Sequence, residues 1–338
     1  MSAYTDYIDS LNPTLCMHFD GVTTQTGSTT VTTPTPAHTN WGAGITKGTP
    51  MCAEFTGTEA CDYGDSDDIN VGGPWYTRTY SLWATYEDPT IDSLIYNEGA
   101  NVRNTSLYFG IGGVPVYVMD NDADTNPGCP WSEAIFGPVC RKDIPYHLGM
   151  TWHGNGVDYS YLKAYLNGVL IQEKPIYKFG TTEVGGRYNA HSGNIEIGLG
   201  QTIIVSQQTF DVSYHKGRVA NVAVWDGVDL GDSVMYQLFA QGADTVTSQI
   251  TFTNIPPGTD IRMFEMNSGV VGNQIDFDLN NSTGSAVLDY QVDVAKDVRI
   301  CVAHIDYTLK QFDVSLPREG TTYDVGLLLK QDRWYKNP

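Results

Sequence analysis

The chain has 338 residues, with 39 acidic against 19 basic side chains and a formal charge of −20. That balance excludes nucleic-acid binding by phosphate neutralisation and attachment to an anionic membrane surface; its plain consequence is solubility and mutual repulsion. An apolar share of 41%, with 35 Gly and 21 Tyr, is enough for buried cores and suits short strands and tight turns better than long helices.

The length is long for one domain and comfortable for two. No stretch reaches the ~18 consecutive apolar residues of a membrane helix. The opening MSAYTDYIDSLNPTL has neither a basic nor an apolar signal region, so no secretory leader is expected. Residues 1–49 are low in apolar content and include the Thr/Pro/Gly-rich run TTQTGSTTVTTPTPAHTN, residues 23–40. This composition predicts an extended N-terminal arm, and such an arm is expected to lie on a neighbouring subunit.

Regular alternation begins near Met51. In the strand after Trp75, Tyr76, Arg78, Tyr80, Leu82 and Ala84 share one side; Thr77, Thr79, Ser81, Trp83 and Thr85 share the other. SLYFGIGGVPVYVMD, residues 106–120, reads as two strands around Gly112-Gly113, and PYHLGMTWHGNG puts Leu148, Met150 and Trp152 on one face. Asn167-Gly168 is the strongest hairpin signal in the chain, because both central residues of a type I′ turn need positive φ. The predicted register pairs Leu166 with Val169 and Ala164 with Ile171 on one face. Tyr165 with Leu170, Lys163 with Gln172 and Tyr161 with Lys174 form an amphipathic face towards solvent or a partner. NIEIGLG is a further short strand. Val222 and Val224 then face one way and Ala223 and Trp225 the other, before a helix capped by Asp232 that buries Val234, Leu238 and Phe239. A boundary near Gly242–Thr247 leaves residues 247–338 as a second β-rich unit, with a turn at Pro256-Pro257-Gly258.

Residues 50–242 carry EFTGTEACDYGDSDD, PYHLGMTWHGNG, LKAYLNGVLIQ, NIEIGLG and GRVANVAVWDGVDLGDSVMYQLFAQG in that order. The series resembles the laminin-G/concanavalin A-like jelly-roll family, most specifically at Tyr165-Leu166-Asn167-Gly168 and at the strand from Gly217 to Trp225. The stretch TNPGCPWSEAIFGPVCRKD is an insertion outside that pattern. The second unit, with PPGTDIRMFE, DVRICVAHIDY and DRWYKNP, looks like small β-domains appended to structural proteins of tailed-phage particles. The resemblance implies an all-β fold: a jelly-roll sandwich over 50–242 and a smaller anchoring or interaction sandwich over 247–338. The functions it implies are sugar binding, protein binding, calcium-assisted binding or glycoside hydrolysis, and fold alone does not choose.

The residues narrow that choice. Hydrolases of this fold carry carboxylates at alternate positions of one strand, whereas NIEIGLG offers only Glu196, with Asn194 and Gly198 on the same face. No H-E-x-x-H or G-x-S-x-G is present, so no catalytic residue is expected and the chain reads as a non-enzyme. Asp120, Asp122, Asp124 and Asn126 alternate as calcium ligands would, but Thr125 and Trp131 stand where an EF-hand needs its glycine and glutamate. Asp65, Asp67 and Asp68 form a second acidic turn. Solvated loops are the expected reading of both; calcium is the one cofactor left open, and no metal ligand is assigned. His147 and His153 read as strand histidines. The six cysteines fall five and one about the boundary, without a C-x-x-C pair, so zinc is not expected. Cys52–Cys61 and Cys129–Cys140 have spacings that permit bonds, but reduced buried thiols, with Cys16 and Cys301, are the expected state. Tyr161, Tyr165, Trp75, Tyr76, Trp131 and Tyr188 are candidates for sugar or subunit contact, with sheet packing the ordinary explanation.

The resulting expectation is a structural protein of a tailed-phage virion, made in the host cytoplasm. It decorates the capsid, with glycan adhesion as an added role. A tail or tail-fibre receptor-binding protein and a glycan-degrading enzyme are the alternatives. Expected partners are other capsid or tail subunits, further copies of the chain and host-surface glycans, without nucleic acid or membrane.

Overall fold

The computed structural model describes residues 2–324 apart from 33–36, 101–102, 122–130, 155–158, 178–187, 206–207, 244–246, 258, 268–269, 282–284, 292–296, 305–306 and 316–320. The chain divides into two compact units, Met1–Ala243 and Asp244–Pro338. No helix among the described residues is long and apolar enough to cross a membrane.

The first unit begins with α1 (Ala3–Ser10), β1 (Leu15–Phe19), β2 (Thr23–Thr26), β3 (Trp41–Ala43), β4 (Met51–Thr56) and β5 (Cys61–Asp62). It continues with β6 (Thr77–Ala84), β7 (Ser93–Ala100), β8 (Arg103–Gly110), β9 (Val114–Asn121), β10 (Ser132–Phe136) and β11 (Tyr146–Gly154). Then come β12 (Ser160–Leu166), β13 (Val169–Pro175), β14 (Ile195–Ile197), β15 (Gln201–Val205), β16 (Gln208–Tyr214), β17 (Lys216–Asp226) and α2 (Gly231–Gly242). One sheet runs β13-β12-β11-β6-β17-β1-β2, with β4 added along β17 and β3 along β4. The facing sheet runs β10-β9-β8-β7-β14-β5, with β16 joining β7 and β15 joining β16. The unit is an all-β sandwich of two sheets whose pairings are antiparallel except for β16 with β7.

The alternation read from the sequence sets the layers. Tyr80, Leu82, Ala84, Leu148, Met150, Trp152, Val222 and Val224 of the first sheet meet Tyr96, Leu107, Phe109, Tyr117, Met119 and Ile135 of the second in one core. Each large aliphatic side chain removed from water there contributes about 1.5–3 kcal/mol.

The expected extended arm is instead part of this sandwich. Leu15, Met17 and Phe19 of β1 lie in the core, and β1 pairs with β17 through Leu15–Val224, Cys16–Ala223 and Met17–Val222. Polar composition misled because the alternation LCMHF spans only five residues before the Thr-rich run. The sandwich therefore starts well before residue 50.

The hairpin at Asn167-Gly168 has φ of 52° and 74°, as a type I′ turn requires. Leu166 pairs with Val169 and Tyr165 with Leu170, as expected; Leu166 packs against the core, but Val169, at the turn, is exposed. A bulge next to Ala164 then moves the register by one, so that Ala164 meets Gln172, Lys163 meets Glu173 and Tyr161 meets Pro175. The expected amphipathic face is also covered rather than open. Tyr161 donates to Asp229 at 2.6 Å and Tyr165 to Asp232 at 2.8 Å, and Lys163 Nζ lies 3.8–3.9 Å from Glu173, Asp229 and Asp232. Asp232 is thus engaged by Tyr165, and α2 has Leu230 at its N-cap position with no side-chain cap. The helix buries Met235, Leu238 and Phe239, with Val234 half-buried.

Both helices lie on the outside of the first sheet. Trp83 stacks on Phe239 at 5.8 Å and donates Nε1–H to the Tyr4 hydroxyl at 2.9 Å; Trp225 donates to the Leu11 carbonyl at 3.1 Å. Gly149 leaves room for the Met235 methyl, which would sit 1.9 Å from a Cβ at that position.

The cysteines described are thiols: Cys16, Cys52, Cys61 and Cys140 are buried and unbonded, and Cys301 is half-buried. Cys129 lies outside the described residues. Burial raises the Cys52 thiol to about 12 and the Cys61 thiol to about 11.

The second unit has β18 (Thr247–Thr253), β19 (Thr259–Asn267), β20 (Val270–Asn281), β21 (Ser285–Gln291), β22 (Asp297–His304), β23 (Tyr307–Ser315) and β24 (Thr321–Asp324). They form a sheet β21-β18-β24 and a sheet β20-β19-β22-β23, and Phe252, Ile261, Met263, Ile300 and Val302 are buried.

Between the two sheets of the first unit lies a charged group with no exposure. Arg78 of β6 gives Nη1–H to Glu98 of β7 at 2.9 Å and to the Ile69 carbonyl at 2.6 Å, and Nη2 meets Asp226 at 3.2 Å. Glu98 also accepts the hydroxyls of Tyr80 at 2.6 Å and Tyr96 at 2.8 Å, and the guanidinium lies 4.3 Å from the Trp75 ring centre. Removing one member strands a buried charge, so Arg78→Met is expected to cost about 3–5 kcal/mol in urea unfolding. Arg78→Met combined with Glu98→Leu should cost clearly less than the sum of the single changes; additive losses would mean that the pair is not coupled.

Candidate functional site

The aromatic residues singled out in the sequence are mostly core. Trp75, Trp131, Tyr165 and Tyr188 are buried, Tyr161 nearly so, and only Tyr76 is exposed, at 49%. Trp131 stacks on Trp152 at 5.8 Å, with Tyr188 against both. His147 is buried on Ser81, Nε2 to Oγ 2.8 Å, and burial pushes it down to about 3. His153 meets the Thr77 hydroxyl and stacks on Tyr161.

The acidic turns also have structural work. Asp65 accepts from the Asn70 amide at 2.8 Å, and the Asp68 carbonyl accepts from Arg78 at 3.4 Å. Asp67 begins a one-turn π-helix over Asp67–Val71. Asp120 is buried at the end of β9; Asp122, Asp124 and Asn126 lie outside the described residues.

Glu196 of β14 has Asp62 of β5 as its cross-strand partner on one side and Asn97 of β7 on the other. All three project from the outer face of the second sheet, since the alternate residues Cys61, Ile195, Ile197 and Tyr96 lie in the core. The next residue in the row is Ser106, whose hydroxyl gives its proton to Asn97 at 2.7 Å. Beside it, the buried Asn104 amide has no hydrogen-bond partner for either its oxygen or its nitrogen among the described residues. Burial, and then the Asp62 charge, push the Glu196 carboxyl up to about 7, while the Asn97 amide opposes the shift.

An open pocket of about 410 Å³ lies at Asp9, Asn12, Pro13, Thr26, Gly27 and Ser28. Another, of about 460 Å³, lies beside the β3–β4 edge and is lined by Ala37, His38, Thr39, Asn40, Thr58, Glu59 and Ala60. In the second, the local sequence Thr56-Gly57-Thr58-Glu59 turns back on itself, with Gly57 at φ 97°. Glu59 accepts from the Thr56 backbone N–H at 2.8 Å, the Thr56 hydroxyl at 2.6 Å and the Asn40 amide at 3.1 Å. The Thr56 hydroxyl chiefly, with backbone donors, holds this carboxyl below its usual range, so it is charged at neutral pH. His38 gives Nε2–H to the Asn40 carbonyl at 2.6 Å, packs on Phe55 at 4.8 Å and meets Trp41 edge-on at 5.4 Å. The pocket thus joins a fixed carboxylate, an amide, hydroxyls and a ring plane. None of its residues was singled out from sequence; the usable signal was Thr-x-x-Glu, a self-closing turn motif.

No family model and no curated protein matches the sequence. Among solved structures, the chain is similar to the binding domain of botulinum neurotoxin serotype D, at 10% identity and a TM-score of 0.48, over 92% of this chain and 74% of that one. It is similar to the CBM40 domain of the Ruminococcus gnavus IT-sialidase bound to α2,3 sialyllactose, at 14% identity and a TM-score of 0.36, over 55% and 96%. The leech intramolecular trans-sialidase is similar at 10% identity and a TM-score of 0.40, over 80% and 38%. All three likenesses are at low identity.

Glu196 yields a signed pH dependence. Its folded carboxyl keeps a proton that the unfolded chain, with an ordinary value near 4.5, gives up. Its contribution to stability therefore falls as pH rises from 4.5 to about 7 and is level above that. Carbon-13 titration of the side chain should show a midpoint near 7, moved down by Asp62→Asn. Glu196→Gln should flatten that segment of the stability profile; a midpoint in the ordinary carboxylate range would exclude the arrangement.

Proposed function

We propose that this protein is a non-enzymatic recognition protein whose sandwich unit binds a neutral glycan at the pocket of His38, Asn40, Thr58 and Glu59. The carrying observation is that pocket: a volume of about 460 Å³ in which Glu59 is held by hydrogen bonds beside an imidazole plane. Sugars offer paired hydroxyl donors and apolar C–H faces, and a fixed carboxylate with an adjacent ring matches both. The volume suits one or two sugar rings. The charged Glu59 and the net charge of −20 disfavour anionic sugars.

Two features favour binding over hydrolysis. Glu98 is enclosed by Arg78, Tyr80 and Tyr96 in the core. The lining of the pocket offers a single carboxylate, Glu59, whereas hydrolysis needs a pair. As a finer reading, the protein belongs to the surface of a tailed-phage particle, on the capsid or as a receptor-binding part of the tail. This rests on the sequence likeness of residues 247–338 to small β-domains of such particles, and the second unit would provide the anchor.

The full chain on an array of neutral and anionic glycans should bind a neutral subset. Glu59→Gln and His38→Ala should each weaken that binding roughly tenfold or more. Binding unchanged in both variants, or reducing ends released from a polysaccharide panel, would overturn the reading. Antibody labelling of intact particles tests the finer placement: label on head or tail supports it, and its absence from particles removes it.

A further inference from the structure

Cys16, His18 and Asp9 come together beneath α1, on the outer side of β1. Cys16 and His18 are two apart on the strand and so share a face; their neighbours Leu15, Met17 and Phe19 point into the core. Cys16 Sγ lies 3.5 Å from His18 Nε2, and the same nitrogen is 3.1 Å from Asp9 Oδ1 and 3.1 Å from the Thr26 hydroxyl. The ligand atoms of Asp9, Cys16 and His18 all lie within 4.8 Å of one another.

The other ring nitrogen is already assigned. His18 Nδ1 stands 3.0 Å from Asn221 Oδ1, an acceptor, so it carries a proton. Asn221 has φ 52° in a bulge of β17, and its amide nitrogen is tied to the Thr46 hydroxyl at 3.1 Å. The bulge thus aims a buried carboxamide at the imidazole. With Nδ1–H fixed, Nε2 faces Asp9 Oδ1, which also accepts the Thr26 hydroxyl, and a thiol with no exposure. A cation between them would meet the nitrogen, the carboxylate and the sulfur at once.

We propose that Asp9, Cys16 and His18 form a binding site for a single zinc ion, with the remaining position open to water or to the Thr26 hydroxyl. Ligand atoms on tetrahedral zinc at about 2.0–2.3 Å stand roughly 3.3–3.8 Å apart, close to the 3.5 Å and 3.1 Å that separate His18 Nε2 from the sulfur and the carboxylate oxygen. A sulfur, nitrogen and oxygen set selects zinc or cobalt over calcium or magnesium. Binding replaces the Cys16 S–H bond with an S–metal bond and releases that proton to solvent. Entry is from the 410 Å³ pocket, which Asp9 and Thr26 both line. The Asn221 amide is the outer-shell partner that fixes the ring tautomer.

The test uses the full chain after chelator treatment. Cobalt should bind one ion per chain, with the intense absorption of a tetrahedral thiolate complex, and zinc should bleach it. Cys16→Ser and Asp9→Asn should each reduce or abolish the band, and Asn221→Ala should weaken affinity by about 10–100-fold. Asp9 is partly exposed, so its variant remains informative if the Cys16 variant fails to fold. Only the weak spectrum of hydrated cobalt, or a band unchanged in the Cys16 and Asp9 variants, would overturn the site and leave His18 as a hydrogen-bonded staple between α1, β2 and β17.

Discussion

The sandwich of the first unit depends on a buried cation. Arg78 is placed by β6 and Glu98 by β7, so their contact is a bond between the two sheets. Burial opposes the charge on Arg78, but Tyr80, Glu98 and Asp226 around it more than offset that, and it stays protonated. Its other bonds outside β6 fix further segments: the Asp68 and Ile69 carbonyls in the turn before β6, and Asp226 at the end of β17. An apolar pair would hold the sheets with comparable energy but without direction. The ion pair sets which residue faces which, and a slip of one position would send Arg78 to the face where Trp83 lies.

The same sheet has a second buried face, and this explains how the helices are used. Thr79, Ser81 and Trp83 point away from the core yet are buried. An outer face of a sheet can stay wet, but Trp83 is too large and apolar to be left there, and Tyr4 and Phe239 close over it. The two helices come from opposite ends of the first unit. Packing on one tryptophan brings those ends together and explains why α1 and β1 belong to the sandwich.

Sheet membership was legible where alternation ran long. Tyr80-Leu82-Ala84, Leu148-Met150-Trp152 and Val222-Val224 each had a clear period of two, and each lies on the expected face. The Asn167-Gly168 turn was legible because its backbone requirement is local. The bulge one turn outward was not, since it answers to Ile171 packing against the core, a contact between segments distant in sequence. The open face given to Tyr161 and Tyr165 failed for the same reason: Asp229, just before α2, and Asp232, in its first turn, reach them from more than 60 residues away.

The site residues were hidden by composition. Residues 1–49 look like a solvated arm because Thr, Pro and Gly dominate, yet they contain both His38 and the Cys16–His18 pair. A short strand of five residues supplies enough apolar surface to dock, and the polar residues around it are then free to face pockets instead of the core. Glu59 shows the limit of reading such a stretch by average polarity. Its carboxylate is fixed by a threonine three residues earlier, a local event, but it lines a pocket only because Asn40, from the Thr-rich segment, lies against it. Polar segments anchored on a rigid sheet are where binding chemistry tends to concentrate. In this protein the two polar sites have different anchors: the Asp9 cluster is built on β1, whereas the His38 pocket leans on β4, through Phe55 under the imidazole and the Glu54 backbone N–H on the Asn40 carbonyl.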